Sequence, residues 1–433
     1  MSATFFYAVR YLVNGICETP LRVGAADGDL ETVLTDADGI AFVPGSSLAG
    51  AMRNWLEGSA WRGLVEALFG SQKHPGSLLF SDARFTADAP RATRPRLRIC
   101  GKRGSADEGG KFDVAQLNPG AKFAFTLTWL GRTLAEDELA ATEEMLAALN
   151  SGLVRLGAQK SNGFGRVTLQ VRKRAYDLRK ADARAAWRSD EEGGDILELP
   201  SMQAAGNVAF TLTGMADSLL VRAASVEYRG DGQQSVTPNL AEDGAPILPA
   251  SSIKGAVRAR AEMIVHSVKL VKEPRTYIES LFGRGAEGKK DPQNKEKDMG
   301  VAGSVRFEDV RISAPQKREI SRIRIDRFTG GVIRGGLFTE EPLCGEVRLR
   351  LTAPAEPLGC ALLFYALRDL GLGLYNLGSG SAIGRGYLRV ERLEAHHADG
   401  RTASLRFAGA GCEASDPEGL FAEWMRAWKE AIR

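Results

Sequence analysis

The stretch "FVPGSSLAGAMRNWLEG" (Phe42 to Gly58) returns 205 residues later as "ILPASSIKGAVRARAEM" (Ile247 to Met263). Three more blocks follow in the same order. "EALFGSQKHPGSLLFSDAR" (Glu66 to Arg84) matches "ESLFGRG" from Glu279 with "GSVRFEDVR" from Gly303, and "LNPGAKFAFTLTW" (Leu117 to Trp129) resembles "PLCGEVRLRLT" (Pro342 to Thr352). "LGAQKSNGFGRVTLQV" (Leu156 to Val171) matches "LGSGSAIGRGYLRV" (Leu377 to Val390). Four blocks in one order, at offsets of 205 to 227 residues, make the chain two related domains in tandem. Its 433 residues are ample for two cores.

Within each repeat the hydrophobic period switches between strand and helix. "FAFTLTW" and "VRLRLT" alternate or run β-branched, as strands do. "SSLAGAMRNWL" and "DELAATEEMLAALNSG" read as helices in the first repeat, "SSIKGAVRARAEMIVHSVK" and "GCALLFYALRDLGLG" in the second. The resulting β-α-β-β-α-β order predicts an α+β class, two tandem ferredoxin-like (RRM-like) domains, each with two helices on one antiparallel sheet. The expected boundaries are 1–180 for the first domain, 181–205 for a charged, Gly-containing linker and 206–433 for the second. Three stretches rich in Lys, Gly or charge read as mobile insertions: "CGKRGSADEGGKFD", "GRGAEGKKDPQNKEKDMG" and the linker.

Composition narrows the functional classes. Gly is raised at 49 residues without a matching rise in Pro, which points to tight turns rather than disorder. Net charge is only +3, so a nucleic-acid surface must be a local concentration of Lys and Arg. The five cysteines are scattered and form no C-x-x-C pair, which argues against a disulfide framework or a zinc site. No apolar run is long enough for a membrane helix, and "MSATFFYAVRYLVNG" reads as a first strand rather than a leader. The expectation is a soluble, cytoplasmic protein with no membrane partner. The four histidines (His74, His266, His396, His397) supply neither a metal cage nor a repeated acid–base pair.

The repeated blocks carry candidate anion sites. Pro44 and Pro249 fix the approach to a helix, Ser46, Ser47, Ser251 and Ser252 can cap it, and the small Gly50 and Gly255 admit something close to its first turn. Free amides and the positive end of the dipole attract an anion there, with Arg53, Arg258 and Lys254 placed to hold a phosphodiester. A plain capped core helix is the other reading. The loops "KSNGFGRV" and "GSGSAIGRGY" can lay amides along a phosphate chain beside Lys160, Arg166 or Arg385, although a simple β-turn also fits. The G-K-[ST] of a triphosphate-binding loop is missing. "SRIRIDRFTGGVIRGGLF" alternates basic residues with Ile, bringing Arg322, Arg324, Arg327 and Arg334 to a flexible hairpin suited to single-stranded RNA, or to a solvated edge strand. "RATRPRLRICGKRGS" stands in the equivalent place of the first repeat.

"VPGSSLAGAMR" and "LPASSIKGAVR" resemble the P-G-S-S-[LI]-K-G-x-x-R signature of the RAMP superfamily of CRISPR-associated proteins. "IDRFTGG", "GSVRFEDV" and "GSGSAIGRGY" resemble that family's other blocks. The resemblance spans nearly the whole chain twice and is greatest to the backbone subunits of type III effector complexes, with the duplication similar to the fused backbone subunits of subtype III-D. It implies RRM-like palms that grip guide RNA (crRNA) through the serine–glycine helix and the terminal Gly loop, and a hairpin that wedges between guide and target RNA. It also implies neighbouring backbone subunits, a large polymerase-like subunit and a small subunit as partners, in antiviral defence.

In catalytic members of the family an Asp after the first strand cuts target RNA with a divalent metal, here Mg²⁺ or Mn²⁺. A kinked nucleotide can align its own 2′-hydroxyl with the adjacent phosphate, with the carboxylate orienting that hydroxyl, accepting its proton or holding the metal. In "VGAADGDLETVLTDADGIAFVPGSS" the family spacing before Gly39 falls at Leu30, between Asp29 and Glu31, and the reading favours Asp29 with Asp27 and Glu31 behind it; Asp36 and Asp38 complete the loop's acids. In the second repeat Asp231 is the candidate, and Asp243 belongs to the turn. The metal ligands are left unassigned. The leading expectation is a crRNA-binding backbone subunit that is a metal-dependent endoribonuclease at one or both modules. A non-cutting scaffold and a metal-independent guide-processing nuclease are the alternatives.

Overall fold

The computed structural model describes residues 5–27, 30–99, 106–189, 193–204, 206–223, 226–229, 234–285, 300–409 and 411–432. They divide into two compact units, the first comprising Met1–Arg98, Glu108–Lys160 and Phe164–Ala204 and the second Ile99–Asp107, Ser161–Gly163 and Ala205–Arg433.

In the first unit the opening strand, Tyr7–Cys17, is central. It runs antiparallel to the closing strand Val167–Asp177 along its whole length, from Tyr7 opposite Asp177 to Cys17 opposite Val167. Its other side pairs with Lys122–Gly131, which in turn pairs with the short strands Leu78–Phe80 and Ala83–Phe85. The order is closing, opening, third, second, the ferredoxin-like arrangement expected from the sequence. Strand alternation sends Val9, Tyr11 and Val13 to one face together with Phe123, Phe125, Leu127 and Trp129, all buried. The helices Gly45–Glu57 and Glu136–Asn150 close that core with Leu48, Met52, Leu56, Met145, Leu146 and Leu149. Each such side chain contributes about 1.5–3 kcal/mol on full burial.

The second unit repeats the plan. Asn207–Leu219 lies between Leu343–Pro354 and Tyr387–His397, with Arg306–Phe307 outside Leu343–Pro354. The helices are Ala250–Val268 and Pro357–Gly371. Two strands, Thr402–Ala408 and Gly411–Ser415, extend the sheet beyond the closing strand, and the helix Leu420–Ile432 sets Phe421, Trp424 and Trp428 into the core. At the corresponding edge of the first unit, Asp195–Leu197 pairs with Val171–Lys173. Of residues 181–205, read from sequence as the linker, 181–204 cluster with that unit. They include the helix Ala181–Arg188, whose Trp187 ring covers the Arg10 guanidinium at 4.1 Å.

Each repeat builds a second small sheet in the same order. Gly24–Asp27, Leu30–Val33, Ala106–Leu117 and Arg91–Ile99 are neighbours in the first, and Glu227–Arg229, Gln234–Thr237, Val332–Glu340 and Ile320–Ile325 in the second. The loop after each opening strand is therefore itself a hairpin, docked in parallel on one of the inserted strands (Glu31 opposite Val114; Ser235 opposite Phe338). Part of "CGKRGSADEGGKFD", expected to be a mobile insertion, is the strand that begins at Ala106.

The terminal glycine loops are fixed by sterics. Gly165 (φ 84°) and Gly386 (φ 77°) have left-handed backbones, and a Cβ on them would lie 2.0 Å from the Leu156 carbonyl oxygen and 1.8 Å from that of Leu377. The residue just before each glycine ties the loop to the inserted strands. In the first repeat it is Phe164, buried beneath the guanidinium carbons of Arg94 and Arg96 at 5.3 and 5.7 Å. In the second it is Arg385, only 3% exposed, whose Nη1 lies 2.7 Å from Glu340 Oε2. Arg222 and Arg322 reach the same carboxylate at 2.9 and 3.5 Å. Replacing Glu340 by Ala strands the Arg385 charge in the interior, and is expected to cost about 3–5 kcal/mol. Urea unfolding of the full chain measures this, and a midpoint equal to wild type would show that Glu340 does not hold Arg385.

Candidate nucleic-acid interface

In the first unit the sheet register brings the loop after the opening strand and the terminal glycine loop to one end. Cys17 ends the opening strand opposite Val167, the start of the closing strand, so the acid-bearing loop leaves the sheet where the terminal glycine loop joins it. The amides of Glu18 and Thr19 donate to the Arg166 carbonyl, and the Arg166 amide donates to Thr19 Oγ1 at 3.0 Å. Phe42–Val43, leading into the serine helix, pairs with Ala83–Arg84 on the same sheet.

The serines do not cap their helices, contrary to the expectation from sequence. Pro44 and Pro249 are the N-caps: their carbonyls accept the amides three and four residues on, from Ser47 and Leu48 and from Ser252 and Ile253. The fixed φ of proline delivers the chain straight into the helix, so the serines fall inside the first turn. Ser46, Ser47 and Ser252 are exposed and Ser251 half-buried. A carboxylate from elsewhere takes the first amide. Asp82 Oδ1 accepts from the Gly45 amide and Asp309 Oδ1 from the Ala250 amide, both at 2.8 Å. These acids were missed, although the D-x-R shared by "FSDAR" and "FEDVR" was a visible signal.

Gly50 and Gly255 are exposed, and a Cβ built on either meets nothing within 4 Å. Glycine inside a helix costs about 1 kcal/mol relative to Ala, and here no neighbour in the fold requires it. Arg53 and Arg258 continue the same helix stripe. Arg53 is exposed and pairs with Glu57 at 3.1 Å, while Arg258 pairs with Glu262 at 2.8 Å and donates to the Gly283 carbonyl at 2.7 Å. Lys254 Nζ donates at 2.9 Å to Ser161 Oγ, one of three residues of "KSNGFGRV" that cluster with the second unit. Its counterpart in the first repeat is Ala49.

The remaining basic candidates divide. Lys160 is exposed at the start of a short 3-10 turn, and Arg166 is partly exposed with Glu18 Oε2 at 2.6 Å. Arg385, expected beside a phosphate, instead sits in the interior on Glu340, because the loop turns its side chain inward. Arg324 is exposed over the Phe338 ring at 5.6 Å, and Arg327 is exposed at the hairpin tip. There Asp326 accepts the amides of Thr329 and Phe328, which hold its carboxyl below the usual range. That turn leaves Phe328 100% exposed, an aromatic the sequence reading did not single out.

Of the candidate acids, Asp29 and Asp231 lie outside the described residues. Asp27 and Glu31 belong to the two arms of the first-repeat hairpin, Asp27 opposite Leu30 and Glu31 opposite Ala26. Asp36 is committed to its turn. Desolvation pushes its carboxyl up, but the amides of Ile40 and Asp38 and the Arg84 guanidinium outweigh this and hold it below the usual range. Among the described residues no group of three or more His, Cys, Asp or Glu is placed to hold a metal ion, and none of the helices among them is long and apolar enough to cross a membrane.

No curated protein matches the chain. Among solved structures, a chain of "Cryo-EM structure of the Type III-B Cmr-beta bound to cognate target RNA" resembles it at 16% identity and a TM-score of 0.33, covering 40% of this chain. The match spans 61% of the length of that chain. The family profile "RAMP superfamily" matches residues 16–168 and again 212–389, which together exceed half of the sequence and coincide with the two repeats. The chain therefore belongs to the RAMP superfamily, which it carries twice in tandem.

Proposed function

We propose that this chain is a backbone subunit of a type III CRISPR effector complex, most like the fused subtype III-D backbone proteins, in which each repeat grips a segment of crRNA. The observation that carries the reading is the duplicated serine turn: two first turns, each with an exposed serine (Ser47, Ser252) followed three residues on by a glycine that nothing in the fold requires. A glycine kept at a cost to the helix, with open space beside it, fits a backbone arriving from outside. Serine hydroxyls and the Arg53 and Arg258 guanidiniums along the same stripe suit a phosphodiester. The basic hairpins, with Phe328 exposed at a tip, suit a wedge between guide and target bases.

Cleavage of complementary target RNA at one or both repeats is the second part of the proposal. Its candidate acids are Asp29, supported by Asp27 and Glu31, and Asp231. In sequence these acids fall within or between corresponding pairs of short strands, Gly24–Asp27 with Leu30–Val33 and Glu227–Arg229 with Gln234–Thr237, which supports the reading. Carboxylates of this kind, with phosphate oxygens and water, are the donor set Mg²⁺ or Mn²⁺ prefers; a bound ion would stabilise charge developing on the phosphate. The protein's own part is to hold the kinked nucleotide in line and to orient its 2′-hydroxyl. Neighbouring backbone subunits, a large polymerase-like subunit and a small subunit are the expected protein partners, in the cytoplasm.

Two experiments test this. Gly50→Ala with Gly255→Ala is expected to stabilise the chain by up to about 1 kcal/mol per site while weakening its affinity for single-stranded RNA. Thermal melting and filter binding on the same samples read both, and unchanged affinity would remove the central support. In guide-loaded complex with Mg²⁺, Asp29→Ala and Asp231→Ala are each expected to abolish a distinct cut in target RNA and leave guide binding intact. Survival of every cut in the double variant would exclude these acids, and an uncut target with the wild type would favour a scaffold.

A further inference from the structure

The second repeated block carries a role that its distance in sequence conceals. "FSDAR" and "FEDVR" share D-x-R, and both polar residues reach back to the segment that delivers the serine turn. The acid binds the helix's first amide at 2.8 Å in each unit, Asp82 to Gly45 and Asp309 to Ala250. The arginine binds the acidic turn before that segment: Arg84 pairs with Asp36, and Arg311 Nη2 lies 3.6 Å from Asp243 Oδ2. Between these two fastenings the backbones also pair, Phe42–Val43 with Ala83–Arg84 and Ile247–Leu248 with Val310–Arg311. One tripeptide thus holds both ends of the stretch from turn to helix, in the same way twice.

We propose that Asp82 and Asp309 are positioning residues for RNA binding by the serine turns, with Arg84 and Arg311 as their second fastening. The proposal rests on the reading of those turns as RNA-gripping. With its first amide already taken by a carboxylate, the helix cannot offer that amide to a phosphate, and the added negative charge repels an anion from it. The ligand's place is therefore shifted along the helix, to the serine hydroxyls and over Gly50 or Gly255, where the surface is open. The carboxylate also sets the direction in which the turn projects, since the first amide anchors the whole helix start to the sheet.

The test uses the full chain and labelled single-stranded polyuridylate, with melting temperatures taken in parallel. Asp82→Ala with Asp309→Ala removes the acceptor, and is expected to weaken binding about five- to tenfold, the scale of a lost helix cap. Asp82→Asn with Asp309→Asn keeps an acceptor oxygen at the same place and is expected to bind within about twofold of wild type, a rescue on the scale of a retained hydrogen bond. Arg84→Ala with Arg311→Ala removes only exposed ion pairs, so it folds whatever the Ala pair does, and is expected to weaken binding about two- to threefold. Gly50→Leu with Gly255→Leu is the control for the underlying reading. If the glycine variant loses binding while the Asp→Ala and Arg→Ala pairs bind like wild type, the positioning role is overturned and the serine-turn reading stands. If Asn fails as badly as Ala, the hydrogen bond is not what matters and the proposal falls. If the glycine variant binds like wild type, the serine-turn reading itself falls.

Discussion

The opening strand of each unit is hydrogen-bonded on both sides, to strands that arrive more than a hundred residues later. Tyr7–Cys17 cannot complete its ladders until Lys122–Gly131 and Val167–Asp177 are in place, and Asn207–Leu219 waits likewise for Leu343–Pro354 and Tyr387–His397. Such non-local pairing is entropically costly to close, and it dictates where everything else can go. Because the opening and closing strands are antiparallel partners, the loop leaving one and the loop entering the other share an end of the sheet. The serine turn, the glycine loop, the acid-bearing hairpin and the inserted strands are then brought together without any one of them needing to recognise the others by sequence.

Two kinds of glycine do different work around that end. Gly165 and Gly386 are demanded from within: their φ is left-handed and a carbonyl oxygen occupies the place of a side chain. They say how the loop is built and nothing about a ligand. Gly50 and Gly255 stand in regular helix with open space around them, so the fold would be more stable with alanine. The internal accounting explains the first pair and leaves the second unexplained, and only the second pair therefore points outward.

The fold was legible in the sequence to a large degree, for physical reasons. "FAFTLTW" alternates because one face of the strand is core and the other is not, and the duplication gave every assignment a second instance. What was not legible depends on contacts between distant residues. The serines look like caps, yet the prolines before them start the helices and Asp82 and Asp309, 37 and 59 residues away, take the first amides. Arg385 looks like an exposed loop cation until the hairpin supplies Glu340, 45 residues earlier. Phe328 reads as one more apolar residue in a strand; its full exposure follows from the turn that Asp326 closes around it.

The two repeats solve one mechanical problem with different chemistry, and the difference is informative. Where the glycine loop must be held to the inserted strands, the first repeat buries an aromatic ring under two guanidiniums and the second buries a guanidinium against a carboxylate shared by three arginines. Neither solution resembles the other in residue type, so the shared requirement is the attachment and not the residue. The D-x-R clamp is the opposite case: residue type agrees in both units, and so does the length of the bond from acid to amide, which suits a place where an amide must be filled by an anion of defined reach. The serine turn shows a third pattern, with geometry repeated but charge unequal, since Lys254 corresponds in sequence to Ala49 and Arg258 is tied to the Gly283 carbonyl while Arg53 pairs with Glu57. Shape is thus held in common while the supply of cations beside it differs between the two repeats.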